Sequence, residues 1–135
     1  MHSELISKIK AAKRVYLAGN GGSYSNSVHI CNDLLACGIR AYTLDPATLT
    51  ASANDYGYET VFARWIETVG EKGDLLIALS GSGKSPNIIR AIQMAEKLGM
   101  TVHLIFGNLR GEDMQKAEEM QLVIGHEIWR SLRKN

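Results

Sequence analysis

The chain has 135 residues, 45% of them apolar and 21% charged, and 15 Lys plus Arg against 14 Asp plus Glu leave a net charge of +1. That length fits one domain over 1–135, able to bury roughly two thirds of its unfolded surface without a disulfide or structural metal. Balanced charge excludes direct nucleic-acid binding through bulk positive potential, and no run approaches the roughly 18 apolar residues of a membrane span. The N-terminal residues show no secretory apolar core. Cys31 and Cys37 lack CxxC or zinc-type spacing and read as reduced core thiols of a cytoplasmic protein.

In chain order, residues 3–12 carry Leu5, Ile6, Ile9 and Ala12 at amphipathic-helix spacing. Val15 to Ala18 reads as a buried strand, broken by the glycine-rich run 19–25. Residues 25–37 predict a helix with an apolar stripe of Val28, Cys31, Leu34 and Leu35. Arg40 to Leu44 predicts a second strand stopped by Asp45-Pro46, followed by short helical turns and loop to about Tyr58. A helical stripe of Phe62, Trp65, Ile66 and Val69 marks 59–69. Asp74 to Leu79 is the clearest strand. Pro86 then opens a helix with Ile88, Ile89, Ile92, Ala95 and Leu98 on one face and Gly99 as its stop. Thr101 to Phe106 is a fourth strand. Ala117, Met120, Ile124, Ile128 and Leu132 favour one long terminal helix, although 120–124 also suits a short fifth strand. Strands alternating with helices, and continuous apolar runs within the strands, predict an open parallel α/β sheet.

Ligands of such sheets bind beyond the carboxyl ends of the strands. Two loops here sit at strand ends and suit an anion: Gly19-Asn-Gly-Gly-Ser23, and Ser80-Gly-Ser-Gly-Lys-Ser85 ahead of the Pro86 helix. Glycines turn backbone N–H groups inward, serine hydroxyls add rotatable donors, and a helix N-terminus favours negative charge. Ala78 to Ser85 also fits a loose nucleoside-triphosphate loop pattern. Its cradle is too short, and Gly107-Asn108 after the fourth strand offers no metal-binding Asp, so no nucleotide is expected. His29 and Asp33 stand at i and i+4 of one helix and share a face. By themselves they suit a surface ion pair as well as acid–base chemistry, and His126 amid Leu122, Ile124 and Trp129 suits a packed histidine.

Taken together, Gly19-Asn-Gly-Gly-Ser23, Ala53-Asn-Asp-Tyr-Gly-Tyr58, Ser80-Gly-Ser-Gly-Lys-Ser-Pro-Asn87 and Leu122-Val-Ile-Gly-His126 resemble the sugar isomerase (SIS) domain. The closest resemblance is to the phosphoheptose isomerases, from Arg14 to Leu132. It implies a three-layer flavodoxin-like SIS fold, with a parallel sheet of four or five strands flanked by helices. It also implies a homo-oligomer, dimer or tetramer, that interconverts aldose and ketose sugar phosphates through an enediol. By position in the motifs, Ser80, Ser82 and Ser85 would hold the phosphate, with Lys84 adding charge, and Asn20, Ser23 and Asp55 would contact the sugar. Asp33 falls at the place of the base and His126 at that of the acid. Some members bind zinc here, and the corresponding positions are His29, Asp33, Glu118 and His126. Glu118 and His126 are about 12 Å apart along a helix, and Glu119 is a rival to Glu118.

The chain departs from the family pattern in four ways. Asp33 stands for Glu, Cys37 lies near the place of an arginine, and Lys84 replaces Asn. The leading helix is absent, as is much of the stretch after Gly107. These departures suit a second reading, a non-catalytic SIS protein that binds a sugar phosphate and a protein partner.

Overall fold

The computed structural model of the chain describes residues 2–106 and 114–133. Helix α1 spans Ser3–Ala11, strand β1 Val15–Gly19 and helix α2 Gly22–Ala36, followed by β2 at Ala41–Thr43 and α3 at Pro46–Tyr56. A 3-10 turn at Tyr58–Thr60 leads into α4, Val61–Val69. Strand β3 (Leu75–Ser80), α5 (Pro86–Lys97), β4 (Thr101–Phe106) and α6 (Met114–Leu132) complete the order. Residues 120–124 are helical, as the favoured expectation had it.

All pairings are parallel, and the strand order is β2-β1-β3-β4. Alternation along the strands separates two cores. Val15, Leu17, Leu75, Ile77, Leu79 and Ile105 pack under α1, α2 and α6. Tyr16, Ala18, Leu76 and Ala78 pack under α4 and α5. These are the three layers of the expected flavodoxin-like fold, with four strands among the described residues. Because β1 and β3 are neighbours while their connections leave toward opposite edges, the chain has its topological switch point between them. The loops after β1 and β3 therefore meet there, where such folds place ligands.

Three expectations are corrected. The stretch after β2 is not a series of turns but an 11-residue helix. Asp45 accepts from the Thr48 backbone N–H at 2.9 Å as its N-cap, and Pro46 occupies the first helical position. Helix α2 begins at Gly22 rather than 25, after Gly21 turns the chain at φ 54°, a value that costs a glycine little. The buried faces of α2, α5 and α6 also differ in part from the apolar stripes. Val28 and Leu35 are exposed, as are Met120 and Ile89, while Asn26, Ser27, Asn87 and Gln121 are buried. The Gly107-Asn108 pair lies outside the described residues. No helix among the described residues is long and apolar enough to cross a membrane.

Candidate active site

The serine loop joins the end of β3 to the first turn of α5, and its hydroxyls shape it. Ser80 Oγ accepts from the Gly83 N–H at 2.9 Å and lies 3.4 Å from Ser85 Oγ, and Ser82 Oγ accepts from the Lys84 N–H at 3.1 Å. With lone pairs of Ser80 and Ser82 used on backbone donors, the Ser82 hydroxyl hydrogen and one hydrogen of the Ser80–Ser85 pair remain to point at an acceptor. The loop borders a cleft of about 220 Å³, lined also by Asn20, Gly22 and Ser23 from the glycine loop and by Met114 and Glu118 from α6. Lys84 is exposed in the loop but does not line that cleft.

A carboxamide clamp ties the two loops together. Asn20 Nδ2 donates to Asn87 Oδ1 at 2.9 Å, and Asn87 Nδ2 returns the bond to Asn20 Oδ1 at 2.8 Å. The Tyr58 hydroxyl donates to the same Asn20 oxygen at 2.6 Å. Asn20 thus has its carbonyl satisfied and one N–H left over. Neither partner carried a role in the sequence reading. Asn87 directly follows the helix-opening Pro86, which is the one local signal that could have placed it at the loop.

Helices α2 and α6 are joined by a second polar cluster. Gln121, fully buried, lies 3.2 Å through Oε1 and 3.1 Å through Nε2 from Ser23 Oγ. Asn26 Nδ2 donates to Gln121 Oε1 at 3.0 Å and to the Glu118 carbonyl at 2.8 Å. Ser23 therefore lines the cleft with its hydroxyl already engaged. Further along the same seam, His29 Nε2 lies 3.1 Å from His126 Nε2 and 3.5 Å from Asp33 Oδ2. The His29 side chain is 48% exposed and that of Asp33 16%, so solvent reaches the imidazole while the carboxylate is mostly enclosed.

These three side chains form a group able to coordinate a metal ion, with one ligand atom each and all within 4.8 Å of one another. Two features fit a cation. Asp33 Oδ2 is buried with no hydrogen-bond partner, a costly state for a carboxylate oxygen. Two imidazole Nε2 atoms at 3.1 Å need at least one lone pair between them. Imidazole and carboxylate suit zinc, and three protein ligands leave a position open. Glu118 is not in this group, and its carboxylate lies against Gly22 at the start of α2. Glu119 is exposed.

Asp55 sits elsewhere, near the end of α3, in a cleft of about 440 Å³ between α3 and α4 lined also by Thr48, Tyr56, Arg64 and Trp65. Cys37, at the end of α2, has its thiol pushed up by burial and then by the negative charge of Asp33. Cys31 is buried and its thiol is also pushed up by desolvation, so neither cysteine is an activated nucleophile.

The family model described as SIS domain matches residues 3–107. A phosphoheptose isomerase of Akkermansia muciniphila is 38% identical over 140 residues, covering 87% of this chain and 74% of the relative. One from Burkholderia pseudomallei is 39% identical over 143 residues, covering 90% and 73%. The solved structure of a phosphoheptose isomerase from Francisella tularensis superposes with a TM-score of 0.87 at 25% identity, covering 99% of this chain and 87% of that one. The chain belongs to the SIS-domain family and, within it, to the phosphoheptose isomerases.

Proposed function

We propose that this chain is an aldose–ketose isomerase of sugar phosphates, with sedoheptulose 7-phosphate its substrate. The observation that carries the reading is the convergence of His29, Asp33 and His126 on the α2–α6 seam, at a set distance from the serine loop. Seven residues of α2 separate Gly22, which lines the serine-loop cleft, from His29, about 10 Å at the helical rise. An extended seven-carbon sugar phosphate spans that gap, its phosphate on Ser80, Ser82 and Ser85 and its carbonyl end at the histidines. The positive ends of α2 and α5 favour the anion.

Isomerisation moves a proton between C1 and C2 while the carbonyl oxygen gains a proton and the neighbouring hydroxyl loses one. Asp33 removes the carbon-bound proton and returns it to the adjacent carbon, and its enclosure keeps competing water away. His126 passes the proton between the two oxygens, a task suited to imidazole near neutral pH. Through Asp33 Oδ2 and the two imidazole Nε2 atoms the same three side chains would hold a zinc ion, which when bound polarises the substrate carbonyl and leaves Asp33 Oδ1 and His126 Nδ1 to move protons. Val28, Leu35, Met120 and Val123 are exposed apolar side chains on these same two helices. They support a dimer or tetramer that covers this surface.

The test is turnover of sedoheptulose 7-phosphate by the purified chain. His126→Ala is expected to lower kcat by about 10²- to 10⁴-fold, and stripping the metal with a chelator to abolish activity that added zinc restores. No turnover of any five- to seven-carbon sugar phosphate would overturn the assignment. Binding without turnover would select a sugar-phosphate sensor instead.

A further inference from the structure

Among the described side chains that line the serine-loop cleft, the polar ones other than Glu118 offer a donor or are already engaged. Ser82 has a hydroxyl hydrogen to give, the Ser80–Ser85 pair keeps one between them, and Asn20 has one N–H left after its exchange with Asn87 and Tyr58. Among the described residues that line the cleft, Glu118 is the only ionisable one, and it is acceptor-only when charged. Its carboxylate rests on the α-carbon of Gly22 so closely that a Cβ there would collide with both oxygens. The backbone of this turn is held in place, because Asn26 donates to the Glu118 carbonyl while also bonding to the buried Gln121. Glu118 is eight residues from His126 on α6, about 12 Å along the axis, and is not in the His29, Asp33, His126 group.

We infer that Glu118 is a substrate-facing specificity residue and not a metal ligand. Its carboxylate accepts hydroxyl hydrogens from the sugar carbons next to the phosphate, and its charge disfavours a bare phosphate or a second phosphoryl group in the same cleft. The donors thus recognise the phosphate, and the Glu118 carboxylate recognises the polyol attached to it. The inference rests on the reading of this cleft as the sugar-phosphate site. It adds that the cleft selects for the polyol itself through one negative charge.

The experiment compares the full chain with Glu118→Gln, an isosteric change, and with Glu119→Gln as a neighbouring charge control. Inorganic phosphate and sedoheptulose 7-phosphate are each titrated calorimetrically at low ionic strength, and bound zinc is measured on the same samples. Removing one charge several ångströms from a phosphate is expected to tighten inorganic phosphate on the order of tenfold, an effect that added salt reduces. Replacing a charge-assisted acceptor by a neutral one is expected to weaken sedoheptulose 7-phosphate several-fold. Zinc content should be unchanged, and Glu119→Gln should alter neither affinity. Opposite shifts of the two ligands support the inference. Parallel shifts, no shift, loss of zinc with Glu118→Gln, or no binding of either anion by the parent chain each overturn it. Turnover is not part of this readout, so failure of the isomerase assignment is seen separately.

Discussion

Gly125→Ala puts the α2–α6 seam under direct load. Gly125 is buried on α6 next to His126, and a Cβ at that position would lie 2.6 Å from Ile30 Cγ1 and 3.0 Å from its Cδ1. Ile30 is 2% exposed, β-branched and part of the core under α2, so it has few rotamers to retreat into. Carbon contacts favour about 3.5–4.0 Å, so the helices must separate by about 1 Å. Alanine gains about 1 kcal/mol of helix propensity over glycine, while overpacking a closed core costs about 1–3 kcal/mol. The expected net effect is a loss of about 1 kcal/mol, read as a lower urea midpoint at unchanged slope. The same displacement moves His126 away from His29, now 3.1 Å apart. Zinc affinity should therefore fall about 10- to 100-fold, as for other disturbed ligand orientations. A variant that is more stable by the full helix-propensity gain, with zinc binding intact, would refute the close-packing argument.

Replacing Gln121 by leucine keeps the volume but strands Ser23 Oγ and one bond of Asn26, both buried. A loss of about 3 kcal/mol is expected in denaturant unfolding, and a neutral result would show that water replaces the amide. Stability should also fall on mild acidification through His103. Burial first, and then Lys8, whose Nζ is 3.2 Å from His103 Nδ1, hold this histidine's pKa below its ordinary value. A depressed folded pKa means that the unfolded chain binds the proton first as pH falls. The contribution is complete above the unfolded value of about 6.5 and is lost as pH drops below it. Urea midpoints at pH 7.5 and 5.5 check this, and His103→Gln should flatten the difference.

Much of the architecture is legible in the residues alone. Continuous apolar runs such as Leu75 to Leu79 mark strands buried on both faces, and Pro86 and Gly99 bracket a helix with local chemistry that needs no tertiary context. Both loops at the strand ends are visible as glycine and serine runs. Asp45-Pro46 was visible too, but as a strand stop it concealed a helix start, because the same pair serves as N-cap and first helical residue.

The order of elements, the parallel sheet and the two anion-ready loops follow from short-range patterns of polarity and backbone freedom. Which helix faces lie inside and which polar groups meet depends on contacts between distant parts of the chain. The seam of α2 and α6 includes Asn26, Gln121 and Gly125, while Val28, Leu35 and Met120 of the apolar stripes face outward and Cys31, Leu34, Ala117, Ile128 and Leu132 are buried as hydrophobic periodicity expects. Buried polar groups are stable only when their partners arrive from elsewhere in the chain, here 98 residues away for Ser23 and Gln121. The same long-range encounter brings His126 to His29 and Asp33 and leaves Glu118 over Gly22. The spacing of Glu118 and His126 along α6 sets them about 12 Å apart, but only the packing of α6 on α2 decides what each one meets.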